Sequence, residues 1–513
     1  MNISTLLTRF FFVLVAASLM LPALTSAKSR DTIRVALMAD PERVDYLRGG
    51  QNARPLWDAM HCRLLGEYDP DQPTQRILQL AEKVEVAPDR KRIVIKMKNG
   101  FVFHNGDPVT AHDVLFTYNQ LRDPANASPI APLLRPVDRI EVVDDHHLVY
   151  HFKRPYAPWQ DILTMFVLSK KYYETAGDKT FRGKPVGCGP FRFISRSPGE
   201  KVVLETSNQN QWQPGAFKTL EFLTVTDSVT RVSMLSAGEV DLITNVQPHQ
   251  IKQLRNAPDI KVKKTDMVPS MFVMPMRVSW YPELRNPKLR LAMSHAINRD
   301  ELVEKLYMGE GYPIYQHTSR IGLDYFPDIT IDYNPEKARR LVKESGYQPG
   351  TPIMLTYTST TPNDVMLSQI IQRYLTNIGL TVKLQQLERG VYVTYLRSKD
   401  KRIGHLSLSG EPWPADPHFR FILFYHSKGP YNSYHDRPNR KQLDQLIGLQ
   451  SIELEIEKRR QLLRKIYERE AADPQYVPLF GLNMFYAMRD DIDYTWLDRS
   501  AYLVDLHKIR VTD

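Results

Sequence analysis

The chain has 513 residues, of which 42% are hydrophobic and 25% are charged. This composition is typical of a folded globular protein and excludes a disordered chain. The length exceeds what one hydrophobic core supports, so two or three domains are expected. The net charge of +10 favours anionic partners in general. However, Lys and Arg are spread along the chain, and Arg339-Arg340 and Arg459-Arg460 are interpreted as solvated helix faces, so no nucleic-acid partner is expected.

The first residues predict export. Arg9 precedes an apolar run from Phe10 to Leu24, and Thr25-Ser26-Ala27 follows, which is the pattern of a secretory signal peptide. A membrane anchor is the alternative, but the run is shorter than the ~20 residues of a span and contains Pro22. We place the cleavage after Ala27. Because no Cys lies near this position, we expect a soluble periplasmic protein without a lipid anchor.

Strand-like and helix-like segments alternate along the rest of the chain, which predicts a mixed α/β fold. The run from Arg92 to Lys98 alternates apolar and polar residues and predicts a strand that ends at the turn Asn99-Gly100. Thr110 to Asp113 then form a capping box, the signature of a helix start. The histidines of the strand-like run Asp144 to Phe152 are too far apart to share a metal ion, since four residues of strand span ~13 Å.

Further elements follow in the second half of the chain. Asn334-Pro335 predicts a helix start, and Gly346 predicts its end. A helix from about Asp364 to Asn377 and a strand from Thr381 to Leu387 come next. The motifs of P-loop enzymes, zinc proteases and nucleophile-elbow hydrolases do not occur in the sequence. Ser398 and Lys401 match a Ser-x-x-Lys pattern, but they lie in a charged turn.

Five segments occur in the order typical of a known family. They are Ile93 to Val114, Gly187-Cys188-Gly189-Pro190-Phe191, Ala237 to Asp241, Asn286 to Arg299, and Tyr333 to Tyr347. With these segments, the chain resembles the bacterial extracellular solute-binding proteins of family 5, which bind peptides or nickel for ABC transporters. The matching residues are mostly turns, caps and core positions, so the resemblance indicates the fold more strongly than the ligand.

The resemblance implies an α/β, two-lobed periplasmic-binding-protein fold of type II, of the large cluster C kind. Lobe I is expected over residues 28–267, with an extra subdomain at about 64–184. Lobe II is expected over residues 268–485, and residues 486–513 return to lobe I. A ligand held in the cleft would stabilise the closed state by contacting both lobes.

The implied function is that of the substrate-binding component of an ABC importer. The protein would capture a peptide or peptide-like solute and deliver it to a permease in the inner membrane. We expect a monomer without cofactor, resident metal or enzymatic activity. The alternatives are a sensor or chaperone with the same fold, a nickel-chelate binder, and a secreted hydrolase.

The resemblance also points to candidate ligand contacts. Relatives carry a Trp and an Asp-Pro in the loop that contains Trp413 and Asp416, and an Asp of that loop holds the α-ammonium group of bound peptides. His418 is the corresponding candidate for holding a chelated metal. The stretch after Thr361 lacks the Arg that binds the carboxylate of dipeptides, and Arg389 is a candidate replacement.

Cys188 replaces a Thr that lies near the cleft in relatives. It could line the ligand, pair with Cys62 in the oxidising periplasm, or be a buried free thiol. The sequence alone leaves these three possibilities open.

Overall fold

A computed structural model describes most of the chain. The described residues are 30–41, 44–48, 53–69, 75–209, 212, 217–265, 270–318, 320, 322–358, 362–398, 401–412, 416–495 and 503–512. The predicted signal peptide, residues 1–27, and Trp413 lie outside these ranges. None of the helices in the described ranges is long and apolar enough to cross a membrane.

The first lobe, residues 30–265 and 484–512, is built on a seven-stranded sheet. Its strands lie in the order Ile260–Thr265, Met484–Arg489, Leu242–Ile243, Thr32–Leu37, Thr219–Thr224, Lys201–Thr206 and Phe191–Ser197. Thr32–Leu37 runs parallel to both of its neighbours. Strand Met484–Arg489 sends Tyr486 and Met488 into one hydrophobic core and Phe485 and Ala487 into another, because successive side chains point to opposite faces.

A four-stranded antiparallel sheet forms a separate part of the first lobe. Its strands lie in the order Ala81–Val86, Arg92–Met97, His147–Phe152 and Val137–Asp144. The predicted strand is confirmed, with Ile93, Ile95 and Met97 buried. The capping box is also confirmed, since Asp113 accepts from the Thr110 backbone at the start of helix Ala111–Arg122.

The run from Asp144 to Phe152, predicted as one strand-like segment, includes a hairpin turn. The carboxylate of Asp144 accepts from the backbone N–H of His146 and contacts His147 Nδ1 at 2.9 Å. His151 instead contacts Glu141 on the neighbouring strand, at 2.8 Å. Within the described ranges, no group of three or more His, Cys, Asp or Glu side chains is placed to hold a metal ion.

The second lobe, residues 270–482, contains two sheets. An antiparallel sheet has the order Gly311–Pro313, Tyr476–Leu482, Ser270–Pro275 and Ser409–Pro412, and a parallel sheet has the order Thr381–Leu387, Pro352–Thr358 and Leu406–Ser407. The chain therefore enters this lobe between Thr265 and Ser270. Strand Met484–Arg489, which follows Leu482, belongs to the seven-stranded sheet of the first lobe.

Helices pack against the sheets of both lobes. Their bounds are Arg54–Met60, Ala111–Arg122, Trp159–Ile162, Lys170–Gly183, Ser228–Ser236, Pro248–Arg255, Pro287–Ala296, Arg299–Tyr307, Pro335–Glu344, Pro362–Asn377, Arg389–Ser398, Pro417–Arg420, Arg440–Ile452 and Ile456–Ala472. Short strand pairs are Leu65–Tyr68 with Arg76–Leu78, and Ile492–Asp493 with Arg510–Val511. The predicted helix start at Asn334 is confirmed, because its side chain accepts from Lys337 N, and Gly346 follows the helix with φ 76°.

The two cysteines are joined as a disulfide, with Cα atoms 5.2 Å apart. Cys62 follows helix Arg54–Met60, and Cys188 precedes strand Phe191–Ser197, so the bond lies next to the point where the chain returns to the seven-stranded sheet. Here two backbones meet directly: a Cβ on Gly189 would lie 2.6 Å from the carbonyl carbon of Met60. Glycine next to Cys188 is therefore required by packing.

Candidate functional site

The carboxyl ends of the parallel strands define the candidate site. In open α/β sheets, ligands bind in the crevice outside these ends. In the first lobe the relevant strands are Thr32–Leu37, Thr219–Thr224 and Leu242–Ile243, and in the second lobe they are Pro352–Thr358, Thr381–Leu387 and Leu406–Ser407. Residues that directly follow these strands are the candidates for ligand contact.

On the first-lobe side, Met38 follows the central strand and is 50% exposed. Its sulfur contacts Nδ2 of Asn245, at 3.0 Å, and Asn245 follows the neighbouring strand with φ 55°. An exposed, flexible thioether at this edge suits an apolar ligand group. Sequence analysis did not single out either residue, because only the register of the strands brings them together.

On the second-lobe side, Arg389 lies at the carboxyl edge of strand Thr381–Leu387 and begins helix Arg389–Ser398. Its side chain is exposed. The neighbouring Glu388 is engaged by the start of the same helix, where it accepts from Val391 N at 3.0 Å, and these backbone hydrogen bonds lower its pKa. Arg389 is thus exposed next to the end of this strand, and its use as a ligand contact stays a prediction.

Asp416 has a protein partner for its charge. Its two carboxylate oxygens accept from Arg459 at 2.6 and 2.7 Å, and Oδ1 also accepts from the backbone N–H of His418. Burial raises the pKa of this carboxyl, but the charge and hydrogen bonds of Arg459 outweigh burial and leave the pKa lowered. The structure therefore gives Asp416 a role in capping helix Pro417–Arg420 and anchoring it to Arg459, and a ligand ammonium would have to share this carboxylate.

The interpretation of Arg459 as part of a solvated helix face is wrong. This residue is 5% exposed, and besides Asp416 it donates to the carbonyl and the side chain of Gln450. The helical pattern of the sequence did not reveal this, because the partner carboxylate lies 43 positions earlier in the chain. Arg339 and Arg340 are exposed, at 50% and 69% of their side-chain surface, as predicted.

His418 is 5% exposed and lies in the interior beside the same cluster. Its Nδ1 contacts Nε2 of Gln450 at 2.9 Å. Burial lowers the pKa of His418 to about 4, so the ring is neutral near pH 7. A neutral imidazole is a chemically competent metal ligand, but here one ring nitrogen is already engaged, and the use of His418 as a ligand contact stays a prediction.

Cys188 is fully buried and bonded to Cys62. Of the three possibilities that the sequence left open, the structure therefore has the disulfide. The carbonyl of Cys188 accepts from the indole N–H of Trp212 at 2.8 Å.

The two lobes meet beside Asp416. First-lobe residues at this contact include Tyr156 and an ion pair between Arg76 and Asp161, at 2.5 Å. The Tyr156 ring lies edge-on to the His418 ring with centroids 5.6 Å apart. Arg76 and Asp161 could not be paired from the sequence, because they are 85 positions apart and no local motif connects them.

Comparisons with known proteins agree with this architecture. The sequence matches the model of the bacterial extracellular solute-binding proteins, family 5 Middle, over residues 76–432. It is 28% identical over 399 residues to di/tripeptide-binding protein 2 of Pseudomonas aeruginosa. The alignment covers 71% of this chain and 73% of that protein. It is 25% identical over 359 residues to the glutathione-binding protein GsiB of Pectobacterium atrosepticum, with 68% of each chain covered.

Among solved structures, the ABC transporter substrate-binding protein CtaP of Listeria monocytogenes superposes with a TM-score of 0.84 at 22% sequence identity. The superposition covers 94% of this chain and 100% of that chain. At this identity the likeness shows that the two proteins share the two-lobed fold.

Proposed function

The chain belongs to family 5 of the bacterial extracellular solute-binding proteins, and on that premise we propose that it captures a peptide or peptide-like solute in the periplasm and delivers it to an ABC permease in the inner membrane. The observation that carries this proposal is the family match, which extends through both lobes. Exposed Met38 and Arg389, each beyond a parallel strand of its own lobe, support a ligand site at the carboxyl ends of these strands. The protein acts as a monomer and without catalysis.

The peptide character of the ligand rests on the relatives. Those named above bind di- and tripeptides or glutathione, and all of these ligands carry carboxylates. The exposed guanidinium of Arg389 fits such a group, because Arg binds carboxylates through two parallel hydrogen bonds. An Arg389→Gln variant should bind an anionic peptide such as glutathione at least about tenfold more weakly.

Arg373 provides the matched control for this test. It is also exposed, but it lies on helix Pro362–Asn377 beside Glu301, away from the strand ends. Arg373→Gln should bind peptides as the wild type does. If both variants bind peptides with unchanged affinity, Arg389 is not a ligand contact.

Thermal-shift measurements on protein stripped of bound ligand by unfolding and refolding test the function itself. Dipeptides, tripeptides, tetrapeptides, glutathione and a nickel–histidine complex would be compared, because any ligand that binds only the folded state raises the melting temperature. A shift with one peptide class supports the proposal. A shift with nickel–histidine alone would identify a nickel-chelate binder, and chromatographic detection of peptide cleavage would identify a hydrolase.

A further inference from the structure

The contact between the lobes beside Asp416 contains a small set of groups that meet face to face. The backbone N–H of Ala157 in the first lobe donates to the Ser451 carbonyl in the second lobe at 2.7 Å. Tyr156 and His418 pack edge to face and are 4% and 5% exposed. These contacts cross from one lobe to the other and exclude water.

Buried charges flank these contacts, and each charge is paired within its own lobe. The first lobe contributes Arg76 with Asp161, whose side chains are 5% and 10% exposed. The second lobe contributes Arg459 with Asp416, at 6% and 9%. The two pairs are close enough to influence each other, because the charge of Asp416 raises the pKa of Asp161 in addition to the effect of burial.

Ion pairs that do cross between the lobes are of a different kind. Among the described residues they are Arg90 with Glu455, at 3.8 Å, and Arg255 with Glu310, at 3.3 Å. Both arginines are about half exposed, at 48% and 50%. Surface pairs of this kind contribute little and are lost at little cost.

Because each buried charge is paired within its own lobe, opening of the lobes splits no buried ion pair at this contact. Splitting a buried ion pair is strongly unfavourable, because it leaves an uncompensated charge. Separation of the lobes would instead expose two intact pairs to water, which hydrates them favourably. Closing must remove the same hydration, and this cost opposes the gain from the Tyr156–His418 packing and the Ala157 hydrogen bond.

We infer that the two lobes share a closure interface, which forms when the lobes close and breaks when they open. It consists of Arg76, Tyr156, Ala157 and Asp161 in the first lobe and Asp416, His418, Ser451 and Arg459 in the second. The interface sets the ratio of closed to open protein, and it thereby contributes to ligand affinity. A ligand that binds only the closed state gains or loses affinity in proportion to the population of that state. The inference rests on the proposed function as a binding protein that closes.

The amide of Ala157 reports on the interface in protein without any ligand. Its hydrogen bond crosses the lobes, so hydrogen exchange of a peptide spanning residues 155–162 measures opening there. Tyr156→Ala removes an aromatic contact and should accelerate this exchange roughly two- to tenfold, after correction for the intrinsic rate of the new sequence. Small-angle scattering should show a larger radius of gyration.

A variant that stabilises the closed state tests the role of the buried charges. Arg76→Met/Asp161→Leu replaces a pair that must be dehydrated with apolar groups of similar size, and such replacements often stabilise the dehydrated state. Exchange at Ala157 should slow by at least about fivefold, and the radius of gyration should fall. Peptides that bind the wild type should bind this variant more tightly, in proportion to the rise in its closed fraction.

Arg464→Gln/Asp328→Asn is the matched control. It also removes an Arg–Asp pair, with contacts of 2.7 and 2.8 Å, but this pair lies exposed elsewhere on the second lobe. It should change neither exchange at Ala157 nor the radius of gyration. If Tyr156→Ala also leaves both quantities unchanged, the contact is permanent and the inference is overturned. This holds even if the double variant of Arg76 and Asp161 does not fold.

Failure of the proposed function gives a different result. In that case no peptide shifts the melting temperature of the wild type. The comparison of ligand-free variants still decides whether the lobes open at this interface.

Discussion

The Asp416–Arg459 pair allows a direct test of what Asp416 does. Asp416→Asn keeps the shape of the side chain and one oxygen that can accept from His418 N, but it removes the negative charge. The Arg459 guanidinium would remain 5% exposed without a countercharge. Breaking a buried pair on one side costs roughly 3–5 kcal/mol.

The structure places the expected cost at the lower end of this range. Oε1 of Gln450 accepts from Arg459 at 2.9 and 3.2 Å, so the guanidinium keeps part of its hydrogen bonding. We expect Asp416→Asn to lower the free energy of unfolding by about 3 kcal/mol. Replacing both partners, in Asp416→Leu/Arg459→Met, should cost less than the single change, because no unpaired charge is left buried.

Urea denaturation of the wild type, Asp416→Leu, Arg459→Met and the double variant Asp416→Leu/Arg459→Met measures the coupling between the two side chains. The pH dependence gives a second check. The pKa of Asp416 is lowered in the folded protein, so its stabilising effect is complete above the unfolded value of ~3.9 and is lost as the pH falls through the lower folded value. The difference between wild type and Asp416→Asn should therefore shrink below about pH 4.

A particular result would contradict this reasoning. If Asp416→Asn unfolds within about 0.5 kcal/mol of the wild type, the pair does not anchor the helix. A loss of peptide affinity on the order of 30-fold or more in such a stable variant would then identify Asp416 as the contact for a ligand ammonium, as the sequence predicted.

Three further outcomes are expected. Thiol labelling of denatured, unreduced protein should find no free thiol at Cys62 or Cys188, and labelling of two thiols would exclude the bond. Replacing both cysteines with Ser should lower the free energy of unfolding by roughly 4–5 kcal/mol, because the bond closes a loop of about 125 residues. Gly189→Ala should lower the free energy of unfolding by about 3 kcal/mol or prevent folding, since its Cβ would lie 2.6–2.8 Å from the backbone of Ala59, Met60 and His61. A variant that unfolds in urea with the stability of the wild type would contradict this packing. Thr110→Ala should cost about 1 kcal/mol as a lost helix cap in the same assay, and a cost near zero would show that the capping box contributes nothing.

Elements that depend on neighbouring residues could be predicted from the sequence. The strand at Arg92, the capping box at Thr110 and the helix from Pro335 were all found, because alternation, caps and turn residues act over a few positions. Strand Thr381–Leu387 agrees with its predicted bounds, and the helix before it begins at Pro362 rather than Asp364. The order of the five family segments supplied the two-lobed arrangement, which local patterns alone do not encode.

The candidate site was harder to predict, because its geometry depends on contacts between distant parts of the chain. Arg459 has the sequence neighbourhood of an exposed helical arginine, and only the position of Asp416 makes it a buried one. Arg389 was predicted from the family resemblance, and its use as a ligand contact stays a prediction. Met38 and Asn245 could have been suspected, since each follows a parallel strand, but the sequence gives no sign that those strands are neighbours.

The distribution of charges between the lobes links stability to function. A binding protein that opens and closes must bury polar groups without making each opening too costly. Pairing Arg76 with Asp161 and Arg459 with Asp416 meets this requirement, because neither pair has to be split when the lobes separate. An evolutionary change that exchanged partners across the lobes, at the same distances and with the same residue types, would hold the protein closed. On the inference of a closure interface, the pairing of each buried charge within its own lobe is the feature of this contact that lets the lobes separate.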